Sequence, residues 1–159
     1  MPKQQTQQPF RLVLQIPLPP AGVNHIYGNK LRYSKTGKPY MGRFLKKDAA
    51  EYKQAVASMA VAEMRRTGQN ILNQVKFCIN FWTYWKDKRS QLDCDGSVKL
   101  VLDALIGIVY SSDKKCLPRF IDYDFNEKSP RMVLEILCPV PDTWAEKITQ
   151  FPCPTTKGE

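Results

Sequence analysis

The chain has 159 residues, of which 43% are hydrophobic and 25% are charged, and its formal net charge is +9. A chain of this length buries one hydrophobic core and leaves little room for a second. It contains no run of about 18 apolar residues and no signal-peptide pattern, which argues against membrane insertion and secretion. We therefore predict one small domain in the cytoplasm.

The chain begins with a polar, glutamine-rich segment, which we interpret as a flexible extension over residues 1–9. The alternation of Leu12, Leu14 and Ile16 with polar residues then predicts a first strand over residues 10–16. Pro17 and the prolines that follow end this strand, because proline lacks the amide needed for sheet pairing.

Positive charge is concentrated near the start of the chain. Residues 1 to 47 contain nine Lys/Arg and no Asp/Glu, whereas residues 48 to 159 contain fifteen of each. Between residues 27 and 47 basic and aromatic residues alternate around glycines, which predicts a mobile basic loop that contacts phosphates and stacks on bases. A solvated surface loop is the alternative. The predicted DNA-binding residues are Lys30, Arg32, Tyr33, Lys35, Lys38, Tyr40, Arg43, Lys46 and Lys47.

Two regular elements follow the basic segment. Residues 44–66 are alanine-rich and predict a long helix that Thr67-Gly68 closes. Residues 75–85 predict a strand, with Phe77, Ile79 and Phe81 on one face.

The segment LDCDGSVKLVLDAL, residues 92–105, carries the strongest chemical signal. Asp93 and Asp95 alternate with apolar neighbours, so at the end of a strand both carboxylates can point the same way. Two adjacent anions repel each other unless a cation lies between them, and oxygen-only ligands suit Mg²⁺ or Mn²⁺. Asp95 alternatively serves only as a helix cap.

An amphipathic helix follows, with Lys99 and Asp103 four residues apart at the edge of its apolar stripe. Their spacing fits either a site beside the aspartates or an ordinary surface ion pair. Asp113 follows an apolar run after this helix. It reaches the Asp93/Asp95 pair only if the chain folds back over the helix.

The remaining segments complete the predicted domain. Residues 120–125 and 132–138 predict a terminal hairpin, and the proline-rich residues 139–159 predict an irregular tail. Its Trp144 and Phe151 either dock on the domain or on a second subunit, or belong to a disordered end. The element order predicts an α+β domain over residues 10–138, with a mixed or antiparallel sheet of about four strands and two main helices on one face.

The five cysteines are scattered and only one histidine is present, so no zinc-site spacing occurs. We expect reduced thiols. Cys94, between the two aspartates, is predicted to be a small buried residue that faces away from the carboxylates.

The acidic motif resembles that of the RusA family of Holliday junction resolvases, which are common in phages and prophages. The resemblance rests on Asp-x-Asp, a lysine four residues later, Asp-Ala-Leu on the helix and an acid eight residues beyond that leucine. The opening LPPAGVNHIY, residues 18–27, is also similar to that family's start. Two positions differ, because Gly96 stands where the family usually has asparagine and Lys114 follows Asp113 where a second aspartate is common.

The resemblance implies a Mg²⁺-dependent endodeoxyribonuclease, also served by Mn²⁺, that resolves four-way junctions in DNA recombination and repair. Asp93, Asp95 and Asp113 would be catalytic metal ligands, Lys99 would stabilise the transition state, and Asp103 would be auxiliary or pair with Lys99. It also implies a homodimer that nicks opposed strands, in the cytoplasm of a bacterial host cell or associated with the nucleoid.

Three other functions fit parts of the pattern. A nucleotidyltransferase and a glycosyltransferase both use Asp-x-Asp, but the first normally has an upstream Gly-Ser helix start and the second is larger than this chain. A non-catalytic DNA-binding domain would explain the basic segment without using the aligned polar groups.

Overall fold

A computed structural model describes residues 9–22 and 24–141 of the chain. The described residues form two helices and six strands. In chain order these are β1 (Phe10–Ile16), β2 (Tyr27–Tyr33), β3 (Pro39–Leu45), α1 (Lys47–Thr67), β4 (Phe77–Trp85), α2 (Cys94–Leu105), β5 (Cys116–Phe125) and β6 (Arg131–Cys138).

Four of the strands form the main sheet, in the order β1-β6-β4-β5. The β1/β6 and β6/β4 pairs are antiparallel, whereas β4 and β5 are parallel and are connected through α2. A parallel pair needs such a crossover, because the chain must return to the same end of the sheet. The predicted α+β domain with a mixed four-stranded sheet is confirmed.

The predicted hairpin between the last two strands is wrong. Strand β5 pairs with one edge of β4 and β6 pairs with the other, so the two strands are not neighbours. The burial of β4 explains this order, since most of its residues are buried while most of β5 is exposed. An apolar strand is best placed at the centre of a sheet, and β5 forms the edge.

Both helices and the sheet contribute buried residues to one hydrophobic core. The strands contribute alternate residues to this core, and their pairing brings Leu12 and Ile79 to the two sides of Ile136. Helix α1 contacts both β1 and α2. Its buried stripe consists of Ala49, Tyr52, Val56, Ala60 and Met64.

The long helix ends where the sequence predicts, but it begins later. Gly68 adopts the left-handed conformation with a φ of 64°, and its amide donates to the carbonyl of Arg65. Phe44 is not helical, because it lies opposite Gly28 in the β2–β3 pair.

No helix within the two described ranges is long and apolar enough to cross a membrane. The predicted N-terminal extension up to residue 8, and the part of the predicted tail with Trp144 and Phe151, lie outside those ranges.

Candidate active site

The two aspartates of the Asp-x-Asp motif lie at the start of α2. Asp93 is the N-cap residue and Asp95 is in the first turn, so the motif does not continue a strand as predicted. Strand β4 has already ended at Trp85. The apolar residues after the motif have helical spacing, and their burial draws Asp95 into the helix.

Neither aspartate serves as an ordinary helix cap. An N-cap side chain normally accepts a hydrogen bond from an amide of the first turn, but Asp93 makes no such bond. Asp95 accepts from the amide of its neighbour Gly96 at 2.8 Å. Both residues are exposed, and neither has an ion-pair partner among the described residues. Two uncompensated negative charges therefore stand at the beginning of α2.

Lys99 lies one turn after Asp95 on the same side of the helix and contacts two acids. Its Nζ donates to Oδ1 of Asp103 at 2.7 Å and lies 3.8 Å from Oδ2 of Asp113. The side chain of Lys99 is 45% exposed, so its ammonium remains open to solvent and to a ligand. The i,i+4 pair expected from the sequence is present, and Asp113 joins it.

Asp113 reaches this position because the chain reverses after α2. Gly107 has a φ of 81°, a conformation that glycine adopts without steric cost, and its amide donates to the carbonyl of Tyr110. The Tyr110 hydroxyl donates to the carbonyl of Leu102 at 2.8 Å, while its ring packs 4.7 Å from the ring of Phe77. The reversed segment is thus anchored to both α2 and β4 before Asp113 begins a short 3₁₀ turn.

The electrostatics of this cluster keep Lys99 protonated. The hydrogen bond with Asp103 is the main cause that raises the pKa of Lys99, and the charges of Asp103 and Asp113 and the Tyr27 phenol raise it further. Cys116 follows the 3₁₀ turn, and burial together with Asp113 raises the pKa of its thiol to about 12. That thiol is therefore protonated and unreactive at neutral pH.

The basic segment is a hairpin, not the predicted loop. Strands β2 and β3 pair over seven residues each. Residues 34–38 close the turn, where Gly37 has a φ of 77° and its amide donates to the carbonyl of Ser34. Glycines and charges suggested irregular structure, but a five-residue turn that contains glycine is also a hairpin signal.

The hairpin separates the predicted DNA-binding residues onto two faces, because cross-strand partners share a face. Arg32 is paired with Tyr40, and Lys30, two residues before Arg32, lies on the same face. Tyr33 and Arg43 lie on the opposite face. Lys35 and Lys38 are in the turn, whereas Lys46 and Lys47 stand at the junction with α1, where Lys47 is 3.7 Å from Glu51.

The base of the hairpin holds a cation–π contact and is tied to the core of the domain. Tyr27, the first residue of β2, acts electrostatically on Lys99, and the Arg43 guanidinium lies 4.7 Å from the centroid of the Tyr27 ring. The Lys46 amide donates to the carbonyl of Ile26, which is buried in the core, and so anchors the hairpin to the domain. No sequence signal indicated this role of Tyr27 beyond its place in the opening motif.

The structure places the acidic residues in two groups along α2. Asp93 and Asp95 occupy the N-terminal end, and Asp103 and Asp113 surround Lys99 farther along. Within the described ranges, no three His, Cys, Asp or Glu side chains lie close enough together to hold a metal ion. Cys94 is exposed, not buried as predicted, because the first turn of α2 is open to solvent on that side.

Comparison with known proteins identifies the family. The family described as "Endodeoxyribonuclease RusA" matches residues 18–137, which include the hairpin, both acidic groups, β4, β5 and all of β6 except its last residue. A search of curated proteins gave no match. The match spans most of the chain, and we conclude that this protein belongs to the RusA endodeoxyribonuclease family.

Proposed function

We propose that the protein is a Mg²⁺-dependent endonuclease that resolves Holliday junctions by paired nicks in opposed strands, in DNA recombination and repair. The observation that carries this proposal is the arrangement along α2. An accessible lysine, held between two acids, follows one turn after two exposed and uncompensated aspartates. A basic hairpin, whose first residue Tyr27 acts electrostatically on the same lysine, adds positive charge.

The donor set at the start of α2 fits a magnesium ion. Mg²⁺ usually keeps several waters and binds through one or two carboxylates together with substrate phosphates. Asp93 and Asp95 supply two carboxylates whose charge no described cation neutralises. When bound, the ion would polarise the scissile phosphate and lower the pKa of a water nucleophile. Mn²⁺ has the same oxygen preference and should substitute.

Asp113 is the third ligand that the resemblance implies, and it contacts Lys99 in this structure. We propose that its carboxylate, together with Asp103, orients the lysine before DNA binds. The Lys99 ammonium then donates to a non-bridging phosphate oxygen, where it stabilises the negative charge that grows in the transition state. Its raised pKa ensures that it carries this proton at neutral pH.

We further propose that two copies act together on one junction. A four-way junction has twofold symmetry, and a symmetric dimer would present one acidic site to each of two opposed strands. The hairpin of each copy would bind the phosphate backbone through Lys30, Arg32, Lys35 and Lys38. Each copy would have to cut for both nicks to form.

The test is cleavage of a synthetic four-way junction by the purified full chain, with each strand labelled in turn. We expect paired, symmetric nicks with Mg²⁺ and none with EDTA, and much slower cleavage of a linear duplex of the same sequence. Asp93→Asn provides the control for a contaminating nuclease. Cleavage that survives EDTA or the Asp93→Asn substitution would refute the proposal.

A second candidate is DNA binding without cleavage. The separation of Asp93 and Asp95 from Asp113 favours it, because the described residues do not bring three metal ligands together. In that case the same assay would show tight junction binding by gel shift and no nicks with either Mg²⁺ or Mn²⁺.

A further inference from the structure

A cavity of about 220 Å³ opens beside the first turn of α2, between this helix and the ends of β4 and β5. Cys94 and Ser97 line its helix side, and Thr83 and Trp85 line the part contributed by β4. Cys94 stands between Asp93 and Asp95 in the sequence. The cavity thus opens at the same end of α2 as the two proposed metal ligands, which do not themselves line it.

Aromatic rings stand at the sheet side of this cavity. Phe120 and Tyr123, on the edge strand β5, are 45% and 55% exposed. Both rings are supported by neighbours, because Phe120 stacks on Phe81 at 5.8 Å and Tyr123 makes an edge contact with Phe125 at 6.0 Å. Exposed rings held in fixed positions are suited to stacking on a planar ligand.

Polar groups converge on the same space. Gln91 and Asp122 line the cavity together with Thr83. Asp122 is paired with Trp82 in the sheet, so its side chain lies on the face opposite Thr83 and Tyr123, and its Oδ1 accepts from the amide of Tyr123 at 2.8 Å. An apolar cavity with a few such polar groups is typical of a ligand site. Its volume lies below the range of about 300 Å³ and above that holds drug-sized ligands, so a single ring system is the appropriate occupant.

We propose that this cavity binds one unpaired nucleobase of the DNA, next to the phosphate that is cut. The proposal rests on the proposed nuclease function. Proteins that recognise unpaired nucleotides stack the base on aromatic rings and hydrogen-bond its edge, which are the two kinds of group present here.

A nucleobase in this position would select where the strand is cut. The base would be held by β5 while its own phosphate lies over Asp93 and Asp95, and the position of the base would fix which phosphate reaches Lys99. The hairpin supplies affinity for the backbone of any sequence, whereas this cavity requires a base that can leave its stack. The cavity thus gives a reason for cutting at a branch point in preference to a closed duplex.

The test uses a four-way junction in which each nucleotide around the branch point is replaced in turn by an abasic residue or by the fluorescent base 2-aminopurine. Binding is measured in EDTA, where the proposed cleavage does not occur. We expect one abasic position to weaken binding roughly 5- to 150-fold, the range expected for removal of one stacked base. The 2-aminopurine fluorescence at the same position should change on binding.

Tyr123→Ala should weaken binding of the intact junction and should no longer respond to the abasic residue. Tyr123→Phe keeps the ring and should behave as the wild type. Met59→Ala is the matched control, since Met59 is an exposed apolar residue on α1 that does not line the cavity. An unchanged abasic effect in Tyr123→Ala, or the absence of any sensitive position, would overturn the proposal.

Cleavage assays in Mg²⁺ on the same proteins separate the two proposals. Cleavage without a sensitive base position would overturn the base site and leave the nuclease intact. A sensitive base position without cleavage would refute the nuclease and leave the base site standing.

Discussion

Substitution of Lys99 distinguishes a catalytic lysine from a surface ion pair, because the two roles predict effects of very different size. As an exposed i,i+4 pair, Lys99 and Asp103 contribute about 0.3–0.5 kcal/mol to stability. Lys99→Ala should then lower the thermal midpoint of a chain of this length by about 1–2 °C. A lysine that stabilises the transition state should in addition cost about 10²–10³-fold in cleavage rate.

The assay is single-turnover cleavage of the junction at saturating protein, with thermal unfolding measured on the same samples. Saturation removes any effect on binding, so the rate reports the chemical step. Lys99→Arg should restore little activity, because a broad planar guanidinium does not replace a compact ammonium at close quarters. Mn²⁺ binding measured by calorimetry should persist in Lys99→Ala, since the lysine is not a ligand.

Arg66→Ala is the matched control. Arg66 forms a similar helical ion pair, with Nη2 2.6 Å from Oε1 of Glu63, and it takes no part in the proposed site. Its removal should leave the cleavage rate unchanged. If Lys99→Ala cuts junctions at the wild-type rate, Lys99 is only the surface partner of Asp103.

Three further predictions concern the acids, the hairpin and pH. Asp93→Asn and Asp95→Asn should each abolish Mg²⁺-dependent cleavage, and retained cleavage in either variant would contradict the site. Gel shifts should show that both variants bind the junction as tightly as the wild type or more tightly, because the substitution reduces the repulsion of phosphate. Joint neutralisation of Lys30, Arg32, Lys35 and Lys38 should reduce the slope of log affinity against log salt concentration by about 0.9 for each phosphate that the variant no longer binds, with little change in the thermal midpoint. An unchanged slope would mean that these residues do not contact DNA. The pKa of Lys99 is raised above its ordinary value of 10.5. The stability that this ion pair contributes is therefore present below that value and is lost only as pH rises through the raised pKa. The part of the cleavage rate that depends on Lys99 should accordingly stay constant between about pH 6 and 9.

Local patterns predicted the parts of this fold that depend on neighbouring residues. Strand β1 has the bounds that alternation indicated, and α1 ends at the glycine that closes it. The start of α1 was placed too early because Phe44 suits a helix and a strand equally well. Phe44 is part of a strand because it pairs with Gly28, which lies sixteen residues away in the sequence and outside the local pattern.

The arrangement of strands could not be predicted from local patterns, because it depends on which strand would lose the most stabilisation if its side chains were exposed to water. The turn after β5 suggested a hairpin with β6, but burial of β4 on both sides decides the order. The position of Asp113 has the same origin. Its approach to Lys99 depends on the reversal at Gly107 and on the anchoring of Tyr110.

The acidic start of α2 and the basic hairpin carry opposite charges, and under the proposed function this difference constrains the order in which they meet DNA. Asp93 and Asp95 would repel DNA and the hairpin would attract it, so the hairpin would provide the first favourable contact. A divalent cation at the aspartates would then convert the repulsive end of α2 into an attractive one. Junction affinity of the wild type should consequently rise when Ca²⁺, an oxygen-preferring cation, replaces EDTA, and Asp95→Asn should show a smaller rise. Equal affinity of the wild type in Ca²⁺ and EDTA would show that the aspartates do not face the bound DNA.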